Sequence, residues 1–109
     1  MRVYTRKDIE KYSCFEIPHF LFYDAYADLS NDARMLYGLL YQDVKHAALS
    51  TDTDDELYCL LDRKQMQEKL GISPRTLARI IKYLEDKELI LQERQGGKGL
   101  NRVYICHPF

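Results

Sequence analysis

Two stretches of the chain repeat hydrophobic residues at the three- and four-residue spacing of an amphipathic helix. In the first stretch, which follows a candidate N-cap at Ser30, these positions are Ala33, Leu36, Tyr37, Leu40, Val44 and Ala47. In the second stretch they are Leu77, Ile80, Ile81 and Leu84. Each stretch is therefore predicted to be a helix that buries one face, and the first is expected to be the scaffold that packs behind the second.

Three shorter hydrophobic runs are predicted to be β-strands. Leu57–Leu61 is a short apolar run bounded by acidic residues. Leu89–Gln95 and Leu100–His107 flank a glycine-rich segment, and Val103 and Ile105 alternate with polar neighbours as strand residues do. Because glycine permits the positive φ angles of a hairpin tip, the last two runs are predicted to form a β-hairpin.

Two helices joined by a tight turn are predicted between Asp62 and Lys87. Asp62 is placed to cap the first helix, and Gly71 is placed to end it because glycine readily takes the left-handed conformation found after helices. Ser73 can cap the second helix, and Pro74 suits the first helical position. The spacing of these signals is typical of a helix-turn-helix.

The order of the predicted elements is helix, strand, helix, turn, helix, strand, hairpin tip, strand. That order indicates an α+β fold of the winged helix-turn-helix type, with a helical core, a small antiparallel sheet and a β-hairpin wing. The length of 109 residues suits one such domain. We predict a winged-helix DNA-binding domain over residues 15–109 and an N-terminal arm over residues 1–14. The aromatic segment around Pro18 is expected to pack against the domain or against another subunit.

The polar face of the second helix of the pair is basic, since Arg75, Arg79 and Lys82 are spaced by four and three residues. Arginine can bond bidentately to guanine edges, lysine neutralises phosphate, and a helix N-terminus supplies N–H groups and a positive dipole. A solvated charged face is the alternative, but the helix-turn-helix signals and the wing favour a recognition helix. The candidate DNA contacts are Ser73, Arg75, Thr76, Arg79, Lys82 and Tyr83 on the helix, and Arg94, Lys98, Asn101 and Arg102 on the wing.

The net charge of −1 conceals an asymmetry along the chain. Residues 1–61 carry six Lys or Arg against eleven Asp or Glu, whereas residues 62–109 carry ten against six. The basic half contains the predicted DNA-binding elements. We therefore expect the recognition helix to enter the major groove of double-stranded DNA and the wing to lie on the flanking backbone or minor groove, with binding that weakens steeply as salt rises.

Cysteine, histidine and acidic residues form no catalytic or metal-binding pattern in the sequence. Cys14, Cys59 and Cys106 include no C-x-x-C pair, and the three histidines are scattered. The acidic segment Ser50–Glu56 lacks the central glycine and distal glutamate of a calcium loop. The glycines of the predicted wing lack the following helix and K-[ST] of a phosphate loop. No metal, no cofactor and no enzymatic activity are expected.

The sequence also predicts a cytoplasmic protein with no membrane partner. No hydrophobic run approaches the length of roughly 18–20 residues that spans a bilayer. The first residues, MRVYTRKDIEKY, lack the apolar core of a signal peptide.

Several motifs resemble the N-terminal domain of the replication initiator A family. They are IPHFLF and LSNDARMLY in the first half, and RKQMQEKLGISPRTLARIIKYL and RQGGKGLNRVY in the second. This family comprises initiators carried by plasmids and related mobile elements of Gram-positive bacteria, and the resemblance spans about residues 15–105. It implies a winged-helix domain that binds repeated sites at a replication origin, commonly as a homodimer.

The resemblance also implies roles for particular segments. The recognition helix of the family falls on residues 73–87 and its wing on residues 94–102. The N-terminal segment of the family contributes to dimer contacts, and the candidates here are Tyr12, Phe15, Phe20 and Phe22. Host replication proteins are further expected partners. Family members are usually longer, with a linker and a C-terminal domain, so the chain is expected to be either part of a longer initiator or a short relative.

Two other functions fit the same pattern of residues. A winged-helix transcriptional regulator would use the same DNA contacts but bind a promoter palindrome instead of origin repeats. A winged helix that binds proteins would account for the acidic first half and the many tyrosines, and it predicts no salt-dependent DNA binding.

Overall fold

The computed structural model describes residues 1–52, 55–95 and 100–108, and within them the chain forms helices and one antiparallel sheet. The α-helices are α1 (Asn31–Leu49), α2 (Arg63–Leu70) and α3 (Pro74–Asp86). The strands are β1 (Cys59–Leu61), β2 (Ile90–Glu93) and β3 (Asn101–Ile105). Short 3₁₀ helices at Arg6–Asp8, His19–Phe22 and Asp24–Tyr26 precede α1. The predicted α+β winged helix-turn-helix is confirmed.

The sheet has the strand order β1-β3-β2, so the last strand lies in the middle. Val103 of β3 pairs with Cys59 on one side and with Gln92 on the other, both in antiparallel register. The β2–β3 hairpin is therefore the predicted wing. Its predicted glycine tip and Lys98 lie outside the described residues.

The core forms where α1 and α3 pack against each other and against the sheet. The hydrophobic positions predicted in α3 are all buried, as are those of α1 except Ala47, which is half-buried. Met66 of α2, Leu89 and Val103 complete the interior. The helical periodicity in the sequence therefore identified the core faces of both long helices.

Hydrogen bonds at the helix ends follow the local sequence signals. Ser30 Oγ, Asp62 Oδ1 and Ser73 Oγ each accept the backbone N–H three residues ahead at 3.1 Å. Gly71 has φ +64°, and the N–H of Ile72 donates to the carbonyl of Gln67 at 3.2 Å, which closes the end of α2. The turn between α2 and α3 is thus set by residues within it.

The end of α3 has a different cause. Glu88 has φ +60° although it is not glycine, and the next N–H, of Leu89, donates to the carbonyl of Leu84 at 3.0 Å. Leu89 is fully buried, and its carbonyl accepts the N–H of Cys106 at 2.9 Å. Burial of Leu89 therefore compensates for the unfavourable backbone of the residue before it.

The aromatic segment before α1 packs largely against the domain. Leu21 and Tyr26 are buried, and the ring of Phe20 contacts those of Tyr26 and Tyr37 edge-on, with centroids 6.0 and 5.6 Å apart. Residues 1–14 are exposed apart from the half-buried Asp8. The division between an arm and a domain at residue 15 stays a prediction.

Gly38 allows this segment to approach α1 closely. A Cβ at Gly38 would lie 2.9 Å from the carbonyl oxygen of Glu16, 3.0 Å from Ile17 Cγ1 and 3.1 Å from the ring of Phe15. A carbonyl oxygen of the main chain cannot move aside as a side-chain tip can. The absence of a side chain at this position therefore allows residues 15–17 to lie close against α1.

We predict that Gly38→Ala destabilises the protein. Helix propensity alone would stabilise it by about 1 kcal/mol, but overpacking typically costs about 1–3 kcal/mol, so the net free energy of unfolding should fall. Urea unfolding measures this free energy. The difference between Met35→Gly and Met35→Ala, at an exposed position of α1, gives the propensity contribution separately. A stability of Gly38→Ala at or above that of the wild type would contradict the close approach.

Candidate nucleic-acid interface

The exposed face of α3 carries three cationic side chains. Arg75, Arg79 and Lys82 are all exposed, on the side of the helix opposite its buried hydrophobic residues. The N-terminus of α3, with Pro74 in its first turn, is also exposed. Charge and the positive end of the helix dipole therefore act at one surface, which suits an anionic polymer.

Ser73 and Thr76 serve the start of α3 itself. Ser73 Oγ accepts the N–H of Thr76 and donates to Thr76 Oγ1, both at 3.1 Å. These hydroxyl groups therefore fix the helix N-terminus beside the arginines. Their predicted contact with DNA stays a prediction.

Tyr83 of α3 and Lys87, the C-cap residue of this helix, contact an acidic residue from the segment before α1. The hydroxyl of Tyr83 donates to a carboxylate oxygen of Asp28, and Lys87 Nζ lies 3.1 Å from the same oxygen. The hydrogen bond from Tyr83, followed by that from Lys87, lowers the pKa of Asp28. The same hydrogen bond to Asp28 raises the pKa of Tyr83. The predicted contact residue Tyr83 is therefore engaged within the domain.

A cleft of about 210 Å³ lies beside this contact, between α3 and the start of α1. Its lining residues are Asp28, Ser30, Ala33, Arg79, Ile80 and Tyr83. Arg79 and Asp28 thus border the same depression.

The base of the wing is connected to α3 by side-chain amides. Asn101 Nδ2 donates to Gln92 Oε1 at 3.1 Å, and Gln92 Nε2 donates to Glu85 Oε1 at 2.8 Å. All three side chains are half-buried. Asn101, which is predicted to contact DNA, therefore couples the hairpin to α3.

The remaining wing candidates differ in their surroundings. Arg94 follows β2 and is exposed. The guanidinium carbon of Arg102 lies 4.6 Å from the ring centroid of Tyr58, and its Nη1 lies 3.8 Å from Glu93 Oε1. The side chain of Arg102 thus lies on the face of the sheet that points away from the core. Lys98 lies outside the described residues.

Arg34 is a structural residue that sequence reasoning missed. Its Nε donates to the carbonyl of Leu21 at 2.8 Å, its Nη2 to that of Tyr26 at 3.0 Å, and its Nη1 to Asn31 Oδ1 at 2.9 Å. The guanidinium carbon also lies 4.8 Å from the ring centroid of Phe22. Arg34 therefore attaches the segment before α1 to that helix. Asp28, which contacts α3, belongs to the same segment. Because every residue has a backbone carbonyl, hydrogen bonds from Arg34 to such carbonyls cannot be recognised from the sequence.

We predict that Arg34→Lys lowers the free energy of unfolding by about 1–3 kcal/mol, because an ammonium group cannot reproduce the planar fork of donors. Thermal or urea unfolding measures the loss. Lys45→Met is the control, since it removes an exposed ion pair with Glu16, 2.6 Å long, which should be worth less than about 1 kcal/mol. Equal losses of unfolding free energy in Arg34→Lys and Lys45→Met would contradict the structural role of Arg34.

The four candidate dimer contacts fall into two groups. Tyr12 and Phe22 are each 60% exposed. Phe15 and Phe20 are half-buried and pack against the core of their own chain. The first pair therefore offers more surface to a partner than the second.

Other chemistry is sparse in the described part of the chain. Within residues 1–52, 55–95 and 100–108, no group of three or more His, Cys, Asp or Glu side chains could hold a metal ion. Burial raises the pKa of the Cys59 thiol to about 11, so this thiol is protonated at neutral pH. No helix among these residues is long and apolar enough to cross a membrane.

Comparison with known protein families identifies the family to which this chain belongs. The family described as Replication initiator protein A (RepA) N-terminus matches residues 13–107. The chain belongs to this family. The match includes α1, the helix-turn-helix and the wing, so each element of the candidate interface lies within the RepA N-terminal domain. No curated protein matches the chain in sequence.

Solved structures share the fold of this RepA N-terminal domain. One described as "N-Terminal domain of DNA binding protein" has a TM-score of 0.75 and 25% identity, and the match covers 100% of this chain and 86% of that one. One described as "Structure of Rep-DNA complex" has a TM-score of 0.75 and 25% identity, with 99% and 85% covered. One described as "Structure of MDR initiator" has a TM-score of 0.72 and 24% identity, with 99% and 88% covered.

Proposed function

We propose that this chain is the sequence-specific, double-stranded DNA-binding module of a replication initiator carried by a plasmid or related mobile element. Helix α3 enters the major groove, and the β2–β3 wing lies on the flanking backbone or minor groove. The observation that carries this proposal is the exposed cationic face of α3 on a winged-helix frame of the RepA N-terminal family. The similar fold of a structure described as a Rep–DNA complex supports it further.

The distribution of charge supports this docking direction. Arg75, Arg79 and Lys82 extend from a helix whose N-terminus is open to solvent, as phosphate and base contacts require. The Asn101–Gln92–Glu85 hydrogen bonds hold the base of the wing in a fixed relation to α3. The helix and the wing can therefore contact adjacent parts of one duplex without rearrangement.

A footprint and affinity titration across salt concentrations tests this function directly. The DNA to use is that within and beside the gene that encodes the chain, with random duplex as the comparison. Repeated protected sites whose affinity falls steeply with salt are expected. A single protected palindrome at a promoter would favour a transcriptional regulator instead, and binding no tighter than to random DNA would overturn specific recognition.

Arg79→Ala provides a test of the recognition helix. If Arg79 bonds a base edge, the variant should lose about 1–3 kcal/mol of binding free energy on the specific site and much less on random duplex. Competition titrations on both DNAs measure the two losses, and circular dichroism establishes that the variant is folded. Equal losses on specific and random DNA would assign Arg79 to phosphate and not to a base.

We also propose that the module acts as a homodimer that contacts its copy through Tyr12 and Phe22. Large exposed hydrophobic side chains concentrate in the first part of the chain, where Val3, Tyr4, Ile9 and Tyr23 accompany these two. Repeated DNA sites would suit such a pairing, because a dimer places two recognition helices at a fixed spacing.

Phe22→Ser should weaken self-association without unfolding the monomer, because the ring is 60% exposed. Sedimentation equilibrium measures the dimer dissociation constant, which should rise at least about tenfold if Phe22 is a central contact. Leu91→Ser is the matched control, since Leu91 is 58% exposed on β2 and lies outside the proposed contact. A monomeric wild type, or equal weakening by both variants, would refute this interface.

A further inference from the structure

The polar side chains of α3 form a row that changes character along the helix. Arg75, Arg79, Tyr83 and Lys87 are spaced by four residues, and each step of four turns about 40° beyond a full circle. Arg75 and Arg79 are exposed, whereas Tyr83 and the C-cap residue Lys87 are half-buried. The row therefore winds from open solvent toward the body of the domain.

Asp28 meets this row at the point where it reaches the body of the domain. Its carboxylate accepts the hydroxyl of Tyr83 and pairs with Lys87 Nζ at 3.1 Å, a contact between residues 55 or more positions apart in sequence. Lys87 Nζ also lies 5.8 Å from the ring centroid of Tyr83. One acidic side chain therefore engages two residues of the recognition helix at once.

The position of Asp28 is set by the fold around it. It follows the 3₁₀ helix Asp24–Tyr26, in which the carbonyl of Tyr26 accepts a hydrogen bond from Arg34. The hydroxyl of Tyr26 in turn donates to the carbonyl of Pro108 at 3.1 Å. These bonds anchor the main chain just before Asp28 without involving Lys87 or Tyr83, so the backbone position of Asp28 does not depend on its contacts with α3.

On the basis of the proposed DNA binding, we infer that Asp28 sets the boundary of the DNA-contacting surface by neutralising Lys87 and engaging Tyr83, which restricts phosphate contacts on α3 to the residues from Arg75 to Lys82. A lysine about 12 Å along the helix from Arg79 would otherwise add a sequence-independent phosphate contact. Asp28 is therefore a positioning residue that limits the number of sequence-independent phosphate contacts. The hydrogen bond to Asp28 raises the pKa of Lys87.

Asp28→Asn tests this role because asparagine retains an oxygen for Tyr83 but removes the charge that holds Lys87. Each phosphate contact contributes about −0.9 to the slope of log affinity against log salt. The variant should steepen that slope on random duplex by about 0.9, which means an additional affinity loss of roughly three- to fourfold between 50 and 200 mM salt. Fluorescence anisotropy across a salt series measures the slope.

Two further variants separate this effect from general charge and from folding. Asp24→Asn removes the same charge in the same segment, and among the described residues Asp24 makes no side-chain bond to α3, so its slope should equal that of the wild type. Lys87→Met should leave the wild-type slope unchanged but abolish the increase caused by Asp28→Asn. Thermal unfolding of all variants establishes that each is folded.

The outcomes distinguish this inference from the proposed function. A wild type without salt-dependent DNA binding would overturn the proposed function, and the inference with it. A wild type that binds DNA, with Asp28→Asn no steeper than Asp24→Asn, would overturn only the role of Asp28. A flatter slope for Lys87→Met in the wild-type background would show that Lys87 already contacts phosphate, which also overturns it.

Discussion

The burial of α1 against α3 is the constraint on which the rest of the structure depends. Both helices remove one hydrophobic face from water, and Leu36 and Leu40 of α1 and Leu77 and Leu84 of α3 are fully buried. Because each buried leucine stabilises the fold by roughly 1.5–3 kcal/mol, the rotation of α3 about its axis is determined by its core face. The cationic face is then necessarily turned outward, so the same packing that stabilises the domain also presents its proposed DNA-contacting surface.

Polar contacts on both sides of α3 restrain the positions of the wing and of Asp28 relative to this helix, in addition to the packing of the core. Gln92 bonds Glu85 and accepts from Asn101, which fixes the wing relative to the helix, while Asp28 contacts its C-terminal end. The partly exposed ion pair of Asp28 and Lys87 contributes little to stability, so it is better understood as directing these side chains than as supporting the fold. An interface that depends on the relative position of a helix and a hairpin benefits from such restraints.

Glycine has two different physical roles in this domain. Gly71 is needed for its backbone, since φ +64° is costly for other residues, although a Cβ there would meet nothing within 4 Å. Gly38 lies within α1 and is needed because it has no side chain, since a Cβ there would lie too close to the carbonyl oxygen of Glu16. The first role can be recognised from a turn signal in the sequence. The second depends on which segment crosses the helix and is visible only in three dimensions.

The sequence by itself determined what is local or periodic. The caps at Ser30, Asp62 and Ser73, the core faces of both long helices and the hairpin follow from hydrogen bonding and burial within short stretches, so these expectations were confirmed. Tertiary structure alone decided contacts between distant residues. The positive φ of Glu88 results from burial of Leu89, and the bonds of Arg34 go to backbone carbonyls that carry no residue signature. The engagement of Tyr83 by Asp28 joins positions 55 residues apart, and only the packing of α1 on α3 brings them together.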